Sequence, residues 1–390
     1  MKIRTIRQSE LENKKVLLRI DLNVPFDKQM NIVDDSRLKS HVPTINYIIK
    51  HGGSPVIVSH IGRPKGIPED RFSHKHVLKK LVELCGTKVI FCESTVGSKA
   101  ERAAGLLKKG EILLLENARF YPEEKNAEES FCLKLSKLGN IFVMDSFASA
   151  HRKDCSVAGV AKFMPSYGGL LVEKEVNALE KLVGNIKRPY AAIIGGFKVS
   201  DKIKVLENLI KKIDVLLIGG AMAFTFLAAK GIKTGQSIIE KESFEDAEKI
   251  MAYADEKKVK IILPLGFSGY ENGTLAYYKT DKMPAGFKGL DIDMETVNLF
   301  KDNLKDSKTI VWNGPLGVFE EKGFEKGTFL IADAITKSKA FSAAGGGDTS
   351  AAVRLSGCAE KFSHISVGGG AFIEYLSGNI LPGLENIEIK

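Results

Sequence analysis

The stretch that decides the fold is YAAIIGGFKVSDKIKVLENLIKKIDVLLIGGAMAF, residues 190–224. It opens on a continuously apolar run, breaks at Gly195-Gly196, passes through a helix-like segment, and repeats the pattern with DVLLIGG at 214–220. A strand with no polar alternation is buried on both faces, which is the habit of parallel sheets covered by helices. The same rhythm extends in both directions. In the first half the strand candidates are 15–20, 54–60, 88–92, 111–116 and 140–145. In the second they are 190–196, 214–220, 260–265, 308–314, 340–346 and 364–369. The expected fold is α/β with two lobes, each a Rossmann-like, doubly wound parallel sheet sandwiched by helices.

Two lobes also follow from length, since 390 residues exceed what one core usually supports. Between them, Gly168-Gly169 precede apolar residues at Val172, Val176, Leu179 and Val183, and Gly184 and Pro189 follow. That spacing predicts a single bridging helix. The expected boundaries are 1–169 for the first lobe, 170–185 for the helix, 186–372 for the second lobe and 373–390 for a terminal segment.

Composition narrows the function classes. Hydrophobic residues make up 44% and charged residues 27%, as in ordinary globular proteins. No apolar run reaches the roughly 20 residues that span a bilayer, and the start has no signal-peptide core. Five scattered cysteines without a C-x-x-C pair suggest reduced thiols in a cytoplasm. The net charge of +9 is uneven: residues 1–185 hold 30 Lys+Arg against 22 Asp+Glu, and nine of the eleven arginines. A nucleic-acid surface would mix these cations with aromatics or a reading helix. Here the arginines stand singly after strands, which suits a small anion better.

In open α/β sheets, ligands bind beyond the carboxyl ends of the strands. The first half places Arg19, Asp21 and Asn23 (RIDLNVP), His60 and Arg63 (SHIGRPKG), Arg119 (LLENARF), and His151 and Arg152 (AHR) at such ends, with Arg37 after the first strand. Forked cations in this setting suit carboxylate and phosphate. The second half offers glycine: Gly195, Gly196, Lys198 and Lys202, then Gly219 and Gly220, then WNGPLGVFE, AAGGGDTS and SVGGGAF. Successive backbone amides and helix N-termini make anion nests, so five such ends suit a nucleotide polyphosphate. Asp348 at the tip of GGGDT carries the wrong sign to hold phosphate, but it can hold Mg²⁺ bridged to phosphate oxygens. It can equally cap the following helix. There is no P-loop and no G-x-G-x-x-G.

The ordered set RIDLNVP, SHIGRPKG, LLENARF, AHR, GGFKVSDK, GGAMAFTF, VWNGPLGVFE, GGGDT and HISVGGGA resembles the phosphoglycerate kinase family along the whole chain. The resemblance implies phosphoryl transfer from 1,3-bisphosphoglycerate to Mg-ADP, giving 3-phosphoglycerate and ATP, by a cytoplasmic monomer with no nucleic-acid or membrane partner. It implies a 3-phosphoglycerate site at Asp21, Asn23, Arg37, His60, Arg63, Arg119 and Arg152, with His151 adjacent. It implies nucleotide contacts at Gly196, Lys202, Gly219, Gly220, Asn313, Glu320, Gly347, Asp348 and Thr349, with Glu320 toward the ribose and Asp348 associated with Mg²⁺. Arg37 and Lys198 match the two cations expected at the transferring group. The family also implies that the lobes close over the bridging helix, and that NILPGLENIEIK at the C terminus crosses back to the first lobe. Departures from the family's usual pattern are Val367 for a threonine, Gly266 for an aspartate, Asp293-Met294 for Gly-Pro, Ala148-Ser149 for Gly-Thr, and Phe197 for a small residue. They leave a catalytically impaired, ligand-binding relative as the alternative.

Overall fold

The computed structural model describes residues 1–389. They form two compact units, Met1–Asn177 with the tail from Ile380, and Ala178–Asn379. The division falls inside a single helix, Leu170–Val183. Of its apolar stripe, Val172, Val176 and Leu179 are at most 1% exposed, as the helical spacing predicts, while Val183 at the end of the helix is half-buried.

In the first unit, β1 (Lys15–Arg19), β2 (Ser54–Val58), β3 (Val89–Cys92), β4 (Ile112–Leu115), β5 (Ile141–Met144) and β6 (Ser166–Gly168) form one sheet in the order β3-β4-β2-β1-β5-β6. Every pairing is parallel. The chain winds away from β1 on one side and returns on the other with β5, so the crevice beside β1 is where a ligand is expected. The core is the apolar strand residues packed beneath helices, including Val16, Leu18, Ile57, Leu114 and Val143 against Leu38, Ile45, Ile48, Val77 and Leu81. The tail completes this unit by backbone bonds: Arg4 donates to Ile387 at 2.7 Å, Gly383 to Ala150 at 2.9 Å, and Ile389 to Lys2 at 2.8 Å.

The tail joins the first unit from Ile380, not from 373 as the sequence suggests. The residues in between stay with the second unit, the first four as the end of a helix, Gly370–Leu376, whose Ala371, Phe372 and Leu376 are buried there. Asn208 Nδ2 donates to the Leu376 carbonyl at 2.5 Å and fastens the end of that helix.

In the second unit, β7 (Tyr190–Ile194), β8 (Val215–Ile218) and β9 (Lys260–Ile262) come first. A hairpin and a third strand follow: β10 (Gly266–Glu271), β11 (Thr274–Lys279) and β12 (Phe287–Ile292). The unit ends with β13 (Thr309–Asn313), β14 (Phe341–Ala344) and β15 (His364–Ile365). The parallel sheet runs β15-β14-β13-β7-β8-β9, which is the doubly wound order with its reversal between β7 and β13. The strands β10, β11 and β12 form a separate antiparallel sheet in the order β11-β10-β12, absent from the sequence-based expectation.

Two of the departures meet at the edge of that small sheet. A Cβ built on Gly266 would lie 2.4 Å from Asp293 Oδ2. Asp293 is the N-cap of the helix Met294–Leu304 and accepts from Thr296 N at 2.8 Å and Thr296 Oγ1 at 2.6 Å. The absent side chain at 266 makes room for the carboxylate at 293.

Candidate active site

The strand ends of the first unit are tied to one another by side chains. Arg37 Nη1 pairs with Asp21 Oδ2 at 2.7 Å, and Asp21 Oδ1 accepts from the backbone N–H of Asn23 at 2.9 Å. Asn23 Oδ1 in turn accepts from Gly62 N at 2.8 Å, and Arg119 Nη1 donates to the Gly62 carbonyl at 3.0 Å. The loops after β1, β2 and β4 are thereby clipped together, and Arg63, next to Gly62, stays exposed. Arg119 Nη2 lies 3.6 Å from Asp154 Oδ2. Among the described residues, the buried Nε atoms of Arg119 and Arg152 have no hydrogen-bond partner. Arg37, by contrast, keeps 47% of its side chain exposed.

Behind these cations lies a buried acid. Glu124 accepts from Ser156 N at 3.0 Å and Ser156 Oγ at 2.5 Å. Burial pushes its carboxyl up to about 7 against those bonds and the charge of Arg19. Burial likewise raises Asp154, opposed by Arg19 and Arg152. Arg19, at its strand end, lies outside the expected site residues. It is fully buried, with Nη1 donating to the Ile20 carbonyl and, at 3.0 Å, to Ser59 Oγ. Its Nη2 sits 2.7 Å from His60 Nδ1. The sequence signal is a charge closing the apolar run KVLLR, which has to be satisfied inside the protein.

The second unit uses backbone where the first uses side chains. One glycine beyond each of five parallel strands has positive φ: Gly196, Gly220, Gly314, Gly346 and Gly369. At Gly314 (φ +92°) an added Cβ would meet the Gly195 carbonyl at 2.1 Å and Lys202 Nζ at 2.7 Å. Only glycine lets the loops after β7 and β13 come this close. They are laced by Gly195 N to Asn313 O at 2.9 Å and Gly196 N to Pro315 O at 2.8 Å, while Gly220 N reaches Leu316 O at 3.1 Å. Gly219 approaches the same residue, its hypothetical Cβ falling 2.4 Å from Leu316 Cδ2.

Lys202 is held in this lattice, donating to the Gly195 carbonyl at 2.5 Å. Burial pushes its ammonium down to about 8 against the pull of Asp201 and Asp348. Asn313 and Thr349 act as struts: Asn313 Nδ2 donates to the Gly345 carbonyl at 2.7 Å, and Thr349 Oγ1 accepts from Gly314 N at 2.7 Å. Asn313 Oδ1 is buried without a partner among the described residues. The helix Gly347–Leu355 starts from Gly346 with no side-chain cap, so Asp348 sits exposed in its first turn and is not the N-cap. An added Cβ at Gly347 meets nothing within 4 Å, so the helix start faces open space. Lys198, Phe197 and Glu320 are exposed. Among the described residues no group of three or more His, Cys, Asp or Glu side chains could hold a metal.

Fold and strand ends together define the class: a doubly wound α/β protein of two units, built like a phosphate-handling enzyme. A family model described as phosphoglycerate kinase matches residues 6–379. The phosphoglycerate kinase of Chloroflexus aggregans is 42% identical over 399 residues, covering 100% of this chain and 99% of that one. That of Finegoldia magna is 42% identical over 394 residues, covering all of both. The solved phosphoglycerate kinase of Coxiella burnetii superposes with a TM-score of 0.91 at 35% identity over 99% of each chain. That of Pyrococcus horikoshii gives 0.83 at 33% identity, over 99% of this chain and 98% of the other. The chain belongs to the phosphoglycerate kinase family.

Proposed function

We propose that this chain catalyses the reversible transfer of a phosphoryl group from 1,3-bisphosphoglycerate to ADP, giving 3-phosphoglycerate and ATP. The observation that carries the reading is the match to phosphoglycerate kinases over the whole chain at about 42% identity, and it leaves nothing in favour of an impaired relative. The division of labour between the units supports the same reading. Side-chain cations at Arg37, Arg63, Arg119 and Arg152, with Asp21, Asn23 and His60, suit a small acid bearing carboxylate and phosphate. Glycine loops and helix starts at Gly196, Gly219, Gly220, Gly314 and Gly347, with Lys202, suit a nucleotide diphosphate.

The chemistry needs little more. An oxygen of the ADP β-phosphate attacks the acyl phosphorus, the bond to the carboxylate oxygen breaks, and no general base is called for. Arg37 and Lys198, both exposed and cationic, neutralise charge spread over the transferring oxygens. Bound with the nucleotide, Mg²⁺ would neutralise its phosphates. Asp348 is a fit partner because its carboxylate is exposed beside the open helix start. One carboxylate leaves most of the roughly six oxygen ligands to phosphate and water. Glu320 is assigned to the ribose. Among the described residues no helix is long and apolar enough to cross a membrane, and a cytoplasmic monomer is the form we assign.

The test is a coupled assay of 3-phosphoglycerate, Mg²⁺ and ATP read through NADH oxidation by a dehydrogenase. Turnover of roughly 1–10³ s⁻¹ or above is expected. Its absence, with both ligands still raising the melting temperature, would return the impaired reading.

A further inference from the structure

The first unit buries three histidines, His41, His60 and His74, none more than 4% exposed. Their partners fix which ring nitrogen carries hydrogen. His41 Nε2 accepts from the backbone N–H of Asp21 at 3.0 Å, so its hydrogen is on Nδ1, which lies 3.1 Å from Asp145 Oδ2. His74 Nδ1 lies 2.7 Å from the Leu115 carbonyl oxygen, which only accepts, so that ring also carries Nδ1–H. His60 is the reverse. Its Nδ1 faces Arg19 Nη2 at 2.7 Å, and a guanidinium only donates. Nδ1 must therefore accept, and in the neutral ring the hydrogen sits on Nε2.

Arg19 is committed to this arrangement. Its terminal nitrogens reach the Ile20 carbonyl, Ser59 Oγ at 3.0 Å and Ser149 Oγ at 3.4 Å besides the imidazole. Ser59 Oγ is fixed in turn, donating to the Ile20 carbonyl at 2.7 Å and accepting from Leu22 N at 3.0 Å. Protonating His60 would turn Nδ1 into a donor pointed at a donor. The charges around the ring are also cationic: Arg19 from β1, Arg152 from the loop after β5 and Arg37 from the helix Ser36–Lys50; the neighbouring titratable His74, at the start of the helix Lys75–Cys85, is itself pushed down to about 4 by burial. Burial first, and these charges second, hold His60 well below its ordinary value.

Resting on the function proposed above, we propose that Arg19 is a positioning residue that locks His60 in the Nε2–H tautomer, so that His60 offers phosphoglycerate a neutral hydrogen-bond donor and not a positive charge. His60 thus differs in kind from the arginines around it. Its contribution to anion binding is directional and does not grow on acidification.

The experiment is a long-range ¹H–¹⁵N correlation of the imidazole rings in the full-length, ¹⁵N-labelled protein. His60 is assigned by the signal that disappears in His60→Gln. The expected pattern is Nε2–H with an unprotonated Nδ1 for His60, unchanged between about pH 5.5 and 7.5. His41 and His74 show the opposite tautomer in the same spectrum. Arg19→Met should let His60 titrate and should raise KM for 3-phosphoglycerate about tenfold, the scale of one hydrogen bond to a charged group. KM for ATP should change less than twofold. Arg19→Lys, which still only donates, should keep the Nε2–H pattern. An Nδ1–H or imidazolium pattern at neutral pH in the wild type overturns the proposal, as does an unchanged pattern in Arg19→Met. If Arg19→Met does not fold, the wild-type and Arg19→Lys spectra decide. An intact pattern in a protein without turnover would remove phosphoglycerate as the ligand while leaving the hold of Arg19 on His60 standing.

Discussion

The two units present positive potential to anions by opposite means. In the first, the charge is on side chains, and three of the arginines are held by partners: Arg37 by Asp21, Arg119 by the Gly62 carbonyl, Arg19 by serines and an imidazole. In the second, the donors belong to the backbone, and side chains such as Asn313, Thr349 and Lys202 serve to brace the loops. The consequence is a difference in how the two surfaces fail. A side-chain surface can be dismantled one residue at a time with the fold intact. A backbone surface can be weakened only through its braces or its glycines, where an added Cβ collides with main chain, as at Gly314.

The sharpest test of that contrast is Arg37→Ala. Arg37 is exposed and its loss leaves the core untouched, so kcat should fall about 10²–10³-fold, the scale of removing one charge-stabilising donor. KM for ATP should stay within about twofold and the melting temperature within the scatter of surface substitutions. Steady-state kinetics with each substrate varied separately gives the answer, and an unchanged kcat removes Arg37 from the transferring group. Asp348→Ala is the mirror experiment in the second unit. Affinity for Mg-ATP or turnover should drop about 10–100-fold while 3-phosphoglycerate binding, followed by calorimetry, is retained. Equal loss of both ligands would mean that Asp348 supports the fold and not the metal.

A subtler difference concerns protons. Arginine's delocalised charge survives across the working range, whereas burial brings Lys202 down to about 8. Bound phosphates raise that value, so nucleotide binding near pH 8 should draw in about half a proton. Titration calorimetry in buffers of different ionisation enthalpy measures this uptake, and 3-phosphoglycerate should show none of it from Lys202. The sign extends to stability. Between about 8 and the ordinary value of 10.5 the folded ligand-free protein binds fewer protons at Lys202 than the unfolded chain, so this residue's contribution to stability rises with pH across that window. Lys202→Met should abolish the uptake; a persistent half proton would place it on another group.

How much of this was legible depends on whether the information was local. All eleven apolar runs read as strands appear in the two parallel sheets, because burial on both faces leaves an unbroken apolar signature. β6 does not announce itself, since Ser166–Gly168 has no apolar run at all. The β10–β11 hairpin carries a local signal of its own. Asn272-Gly273 are its two turn residues, both with positive φ, and such a pair favours a tight hairpin turn. For the strand ends, residue type and position were legible, but commitment was not. Thr349 reads as a nucleotide contact, and nothing local in the sequence announces that its hydroxyl also accepts from Gly314, 35 residues away. Arg19 reads as one more cation until Ser59, His60 and Ser149, brought to it only by folding, join the adjacent Ile20 carbonyl as its neutral acceptors.

The smallest expected effect tests whether the second unit's scaffold can be loosened without touching its anion loops. Asp293→Ala removes the N-cap of the helix Met294–Leu304 and both bonds to Thr296. It should cost about 1 kcal/mol in urea unfolding, with turnover unchanged. Gly266→Asp, which restores the family's usual residue at 266 alone, sets a second carboxylate against the first. The hypothetical Cβ is already 2.4 Å from Asp293 Oδ2 and 2.9 Å from the Tyr278 carbonyl, so overpacking of about 1–3 kcal/mol is expected. The double substitution Gly266→Asp with Asp293→Gly moves the carboxylate across the contact and should recover most of that loss. A strongly non-additive cycle would establish that the two departures are one compensated change. Additive losses would mean that the carboxylate at 293 and the glycine at 266 are independent, and that the helix start alone sets the stability of this edge.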